Sequence, residues 1–144
     1  MIEPEIQKLV DAARAARDCS LSPFSNFCVG AAVETEDGKI YTGCNIESAS
    51  YGLTCCAERV ALFHWGANHP DDPIETIAIT AHTNDFALLK PVTPCGSCLQ
   101  VMAEYEKKQG KPIRIILYCQ NGPVWVIKGI ENLLPFLFFE ERLA

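Results

Sequence analysis

Cys56 and the pair Cys95 and Cys98 constrain the fold of this chain more than any other feature. Taken as one ligand set, they require two segments well separated in sequence to converge on a single ion. Cys56-Ala57-Glu58-Arg59 opens an alanine-rich stretch of helical character, and Pro94-Cys95-Gly96-Ser97-Cys98 opens a second. The spacing predicts all three sulfurs in first turns of helices, with Cys95 and Cys98 on one face, where the positive end of the helix dipole favours thiolates. Three protein ligands leave one position of a tetrahedral zinc open, which marks a catalytic site rather than a closed structural one. Glu58, two residues beyond the first ligand, is placed to handle the proton of a water at that position. Three thiolates overcompensate the charge of Zn²⁺ and weaken it as a Lewis acid. Arg59, on the same helical side as Cys56, is expected to donate to the ligand sulfurs and draw charge off them.

Each signal also has an ordinary reading. A lone C-x-x-C can be a redox dithiol or half of a structural zinc knuckle, and a lone helical glutamate is usually a solvated carboxylate. Arg59 could pair with Glu47 instead of the sulfurs. It is the combination of Cys56, Glu58 and the proline-led Cys95/Cys98 pair that singles out a catalytic zinc.

The rest of the chain is compatible with such a site. Its 144 residues fit one domain, residues 1–144, with no internal repeat, low-complexity stretch or linker. The formal charge of −6 disfavours a polynucleotide partner, whose phosphates call for Lys and Arg, and fits a small substrate better. The acidic opening Met1-Ile2-Glu3-Pro4-Glu5 leads us to expect no signal peptide, no membrane association and a cytoplasmic protein. In that setting eight cysteines point to metal ligation rather than disulfides.

Helix and strand alternate along the chain. Ile6, Leu9, Val10 and Ala13 follow helical spacing, which predicts a helix from about Glu3 to Asp18. Phe27 to Thr35 and Lys39 to Ile46 are expected as strands joined by a hairpin at Asp37-Gly38. Helices are expected over Cys56 to Trp65 and Cys95 to Lys108, and strands over Glu75 to His82, Ile113 to Cys119 and Val124 to Lys128. A short tail helix is expected to begin over Glu131 to Leu134. The fold class is therefore α/β, a sandwich around a five-stranded mixed sheet. Only Gln120, Asn121, Gly122 and Pro123 separate the last two strands, too few for a parallel crossover, so those strands are antiparallel if they pair.

Together with Gly43-Cys44-Asn45-Ile46-Glu47, Ser22-Pro23-Phe24-Ser25-Asn26-Phe27 and Leu133-Leu134-Pro135, the two cysteine motifs resemble the small homotetrameric cytidine deaminases of pyrimidine salvage. The resemblance runs over nearly the full length. It implies a three-layer α/β/α sandwich, one Zn²⁺ per subunit on Cys56, Cys95 and Cys98, and Glu58 relaying protons while water attacks C4 of cytosine. It further implies that Asn45 and Glu47 bind ribose hydroxyls, that Phe27 packs on the base and that the backbone of Ala57 donates to the base carbonyl. Thr93 stands where a backbone carbonyl meets the amino group, and Tyr51 and Phe138 match residues that reach a neighbouring subunit's site. Polynucleotide-editing relatives generally insert a helix between their last two strands, whereas this chain has the short Asn121-Gly122 connection.

Asn45 and Glu47 could instead cap a strand, and Phe27, Tyr51 and Phe138 could be core residues. Cys28, Cys44 and Cys119 read as small buried hydrophobes in strands, Cys19 has no partner that sequence can name, and Cys55 reads as a bystander beside a ligand. His64 is expected on a helix surface, His69 in a loop and His82 at a strand end. Three departures from the family pattern stand out: Leu99 where an arginine usually follows the second cysteine, a somewhat longer segment from Trp65 to Pro94, and the aromatic tail Pro135-Phe136-Leu137-Phe138-Phe139. Rival readings are a deaminase of a blasticidin-type or modified cytosine substrate, and a non-catalytic zinc or redox protein.

Overall fold

The computed structural model describes residues 2–143. Helix α1 spans Pro4–Arg17, and Pro4 opens it where a missing N–H costs nothing. Ile6, Leu9, Val10 and Ala13 form its buried stripe, as their spacing predicts. Strands β1 (Cys28–Thr35) and β2 (Ile40–Cys44) form a hairpin whose turn closes through the Gly38 N–H to the Thr35 carbonyl at 2.9 Å. Gly38 has φ +80°, a conformation open to glycine at little cost. Helix α2 (Ala57–Asn68), strand β3 (Ile74–His82), helix α3 (Gly96–Gln109) and strands β4 (Arg114–Tyr118) and β5 (Val124–Lys128) follow. Helix α3 ends at Gly110 with φ +66°, the left-handed C-cap that its sequence foreshadows.

The five strands lie in the order β2-β1-β3-β4-β5. β3 and β4 are parallel, linked by a crossover through α3, and the other neighbours are antiparallel. β4 and β5 pair from Arg114 with Lys128 to Tyr118 with Val124, as the short connection between them requires. Side chains alternate between the two faces of the sheet. Ala31, Val33, Ile77, Ile79, Ile115 and Leu117 face α2 and α3, while Ala32, Ala78 and Ile116 face α1. The result is the expected α/β/α sandwich, and each fully buried Ile or Leu contributes about 1.5–3 kcal/mol to it.

Two glycines set how closely the layers approach. A Cβ on Gly30 would stand 2.0 Å from the Ala13 carbonyl oxygen, and one on Gly43 would stand 2.4 Å from the Ala61 nitrogen and 2.7 Å from the Ala57 carbonyl oxygen. Gly43 therefore lets α2, with its functional N-terminus, lie directly on β2.

Three local expectations need correction. Cys56 and Cys95 are not in first helical turns but occupy the N-cap positions of α2 and α3 with extended backbone, while Cys98 lies inside the first turn of α3. The tail helix is only a 3₁₀ turn over Ile130–Asn132, entered through Gly129 at φ +87°. Pro135 then prevents its continuation, and a second short 3₁₀ turn spans Glu141–Leu143. Cys119 lies just past the end of β4, though buried as expected.

Candidate metal centre

The N-termini of α2 and α3 point at one another on the same face of the sheet, which brings the three cysteines together. Cys56 and Cys95 Sγ are 3.7 Å apart, Cys95 and Cys98 Sγ are 3.5 Å apart, and all three lie within 4.8 Å of one another. Zinc–sulfur bonds of about 2.3 Å in tetrahedral geometry give a sulfur–sulfur edge of about 3.8 Å, so the donors fit that ion in type and spacing. No other three His, Cys, Asp or Glu side chains come together in this way among the described residues. His64, His69 and His82 lie at a helix surface, a helix end and a strand end, as expected.

Electrostatics separates Cys56 from its neighbour Cys55. Hydrogen bonding from the Cys98 thiol, helped by Arg59 and Cys95, holds Cys56 well below the ordinary thiol range and favours its thiolate. Cys98 is pushed upward as the donor to Cys56 and by its burial. A divalent ion displaces such a proton on binding. Cys55, one step along, is raised chiefly by burial, and its backbone is engaged with Ile46.

Arg59 donates through Nη2 to Cys56 Sγ at 3.5 Å. The competing partnership with Glu47 does not form. Leu99 is buried among the core residues behind the cysteines.

Glu58 is 5% exposed, at the second position of α2. Burial pushes its carboxyl up to about 7, with the Cys56 charge adding to the shift. A group with that affinity both takes and releases protons near neutral pH. This is not a solvated helix carboxylate.

The other expected site residues are distributed around this centre. Ile46 exchanges both backbone hydrogen bonds with Cys55, at 3.0 and 2.9 Å, which ties the Asn45-Ile46-Glu47 segment to the residue preceding the first ligand. Asn45 is buried: its Oδ1 accepts from the Val29 N–H at 2.8 Å and from the Ser20 hydroxyl, and its Nδ2 donates to the Phe27 carbonyl at 2.8 Å. Glu47 and Tyr51 share a cavity of about 340 Å³ with Phe24, Ser25 and Thr54. Phe27 packs against Phe86 with ring centroids 6.3 Å apart. Ala57 is fully buried at the first position of α2, and Thr93 is exposed two residues before Cys95.

Phe138 is not brought into this group. It lies along α3, where its carbonyl accepts from Gln100 Nε2 at 2.8 Å, and the residue is 72% exposed. Sequence assigns no role to Ser20 or to Ser25, although Ser25 lies in the Ser22-to-Phe27 stretch, because their bonds to Asn45 and Glu47 link residues more than twenty positions apart.

Comparison with known proteins gives a consistent result. Residues 4–110 match the family described as the cytidine and deoxycytidylate deaminase zinc-binding region. The chain is 48% identical to a cytidine deaminase of Halalkalibacterium halodurans, over 95% of this chain and 96% of that one. It is 42% identical to a cytidine deaminase of Sporosarcina psychrophila, over 97% and 96%. Among solved structures it resembles the cytidine deaminase of Burkholderia pseudomallei, with a TM-score of 0.79 at 42% identity, covering 92% of this chain and 98% of that one.

Proposed function

The chain belongs to the cytidine and deoxycytidylate deaminase family, and from that premise we propose that it hydrolyses cytidine and 2′-deoxycytidine to uridine and 2′-deoxyuridine plus ammonia, within pyrimidine salvage. The observation that carries this reading is a buried carboxyl, Glu58, held near neutrality beside three cysteine sulfurs spaced for zinc. A structural site would be closed by a fourth Cys or His and would have no use for such a group.

Cys56, Cys95 and Cys98 would hold one zinc ion per chain, which would supply Lewis acidity for activating water. Glu58 accepts the proton of the attacking water and delivers protons to N3 of the base and to the departing amino group. Its burial raises its proton affinity above the ordinary carboxylate value, which suits a group that must take a proton before delivering one. Arg59 draws negative charge from Cys56 and so keeps the ion electrophilic.

Phe27 packs on the base, the Ala57 N–H donates to the base carbonyl and the Thr93 carbonyl meets the amino group. Asn45 and Glu47 take the sugar. With its Oδ1 occupied twice and its Nδ2 donating once, Asn45 keeps one N–H for a ligand. Tyr51 and Phe138 complete the site of a neighbouring subunit in a homotetramer. The exposure of both aromatic rings in the single chain supports this assignment.

The net charge of −6 and the direct β4 to β5 connection favour a free nucleoside over a nucleic-acid base. No helix among the described residues is long and apolar enough to cross a membrane, and the proposed location is the cytoplasm. Incubating the zinc-loaded protein with cytidine and following ultraviolet absorbance together with ammonia release tests the reading. Stoichiometric loss of cytidine is the expected result, and unchanged absorbance with cytidine, deoxycytidine and their analogues overturns it.

A further inference from the structure

The loop before β1 forms a small anion cup, and Glu47 sits in it. Its Oε2 accepts the Phe24 N–H at 2.8 Å and the Ser25 N–H at 3.2 Å, while Oε1 accepts the Ser25 hydroxyl. The same Ser25 hydroxyl oxygen accepts the Phe27 N–H at 3.1 Å. The backbone is bent for this purpose: the Asn26 N–H returns to the Ser22 carbonyl at 3.0 Å, and Asn26 adopts φ +55°, a conformation asparagine tolerates better than most residues. Successive N–H groups turned to one side make the kind of concavity that holds an anion.

A carboxylate offers about four lone-pair positions, and three of those on Glu47 are taken within the chain. One acceptor position remains, on Oε1. Which way that position faces is fixed by the Ser25 hydroxyl, the sole side chain bonded to Oε1. Because that hydroxyl is itself held by the Phe27 N–H, it also couples the carboxylate to the aromatic residue two positions on.

We propose that Ser25 is a positioning residue of the nucleoside site: its hydroxyl orients the single free acceptor of Glu47 toward one sugar hydroxyl and registers that acceptor against Phe27. The inference rests on the nucleoside-deaminase reading given above and gives a role to a residue for which that resemblance implied none. Ser25 acts on binding of the sugar and leaves the proton chemistry at Glu58 alone. The same hydroxyl is the largest influence holding the Glu47 carboxyl below its ordinary range, in keeping with a bond to the charged form.

The test compares cytidine with 2′,3′-dideoxycytidine, which lacks the 2′- and 3′-hydroxyls, on the zinc-loaded wild type, Ser25→Ala and Ser25→Thr. In Ser25→Ala the KM advantage of cytidine over the dideoxy analogue shrinks about tenfold while kcat for cytidine stays within about twofold, the loss expected for one hydrogen bond to a charged group. Ser25→Thr, which keeps the hydroxyl, restores the advantage. Equal KM increases for both substrates in Ser25→Ala mark a merely structural residue and overturn the proposal, as does an unchanged advantage, a matching fall in kcat, or failure of Ser25→Thr to restore binding. A wild type inert toward cytidine sinks the deaminase reading and this role with it. Active wild type with undiminished sugar discrimination in Ser25→Ala sinks the Ser25 role alone.

Discussion

Arg59 Nη2 donates to Cys56 Sγ at 3.5 Å, three residues from the sulfur it serves. The two occupy the start of one helix, so the local backbone alone fixes their relation. A guanidinium bonded to a ligand sulfur withdraws charge that the sulfur would otherwise give to the ion.

Arg59→Gln removes that withdrawal and leaves the three ligands in place. The expected outcome is a fall of about 10- to 100-fold in kcat/KM or zinc affinity. Arg59→Lys recovers only part of it, since an ammonium lacks the planar fork. Steady-state kinetics with parallel metal analysis checks this, and a fully active, fully loaded Arg59→Gln protein would remove Arg59 from the site.

Glu58 confers a pH-dependent cost on the protein stripped of zinc. Its folded-state affinity, raised to about 7 by burial, lies above its ordinary carboxylate value, so the folded state binds this proton more tightly than the unfolded chain. The cost is absent at low pH, grows as pH rises past the unfolded value and is complete above 7. Glu58→Gln, neutral at every pH, should therefore stabilise the metal-free protein by roughly 1–3 kcal/mol at pH 8 and by much less at pH 5. Urea unfolding at the two pH values measures it. Equal stabilities at pH 8 would show that the carboxyl is not strained by burial.

Gly43→Ala should be far more damaging than a surface substitution. The new Cβ meets backbone atoms of Ala57 and Ala61, which cannot rotate aside, and pushes α2 and Cys56 away from β2. A loss of about 3 kcal/mol or more, with weakened zinc uptake, is expected. Gly52→Ala, where a Cβ meets nothing within 4 Å, serves as the control and should stay within about 0.5 kcal/mol of wild type. Thermal melts that rank the two variants alike would contradict this account of how α2 is seated.

The aromatic tail should be needed for assembly. Phe136 is 94% and Phe138 72% exposed in the single chain, a cost in water that a subunit interface removes. Ending the chain after Pro135 is expected to convert the proposed tetramer into smaller species and to lower activity. Light scattering reports the mass, and an intact, active tetramer would take Phe138 out of the neighbouring site.

The sequence made legible those features in which residue type and short spacing carry the chemistry. The C-x-x-C at Cys95 and Cys98, the nearby Glu58 and the alternating apolar residues of β1, β3 and β4 all belong to this kind. The antiparallel β4 and β5 were readable because four intervening residues leave no alternative. Placement of Cys56 and Cys95 at N-caps was not readable, since a helix start fixed by extended backbone looks in sequence like one a residue earlier. The tail was misread because apolar Leu133 and Leu134 suggest a helix, whereas Gly129 and Pro135 bound the segment to a single 3₁₀ turn. The bonds of Ser20 to Asn45 and Ser25 to Glu47 span 25 and 22 positions and exist only once the loop before β1 has folded against the end of β2.

The most direct test of the central claim is turnover of cytidine by Glu58→Gln protein whose zinc content has been measured. The account predicts one zinc per chain, as in the wild type, with deamination reduced at least about a hundredfold, because the ligands survive and the proton carrier does not. A Glu58→Gln protein that binds zinc and deaminates cytidine at close to the wild-type rate would contradict it.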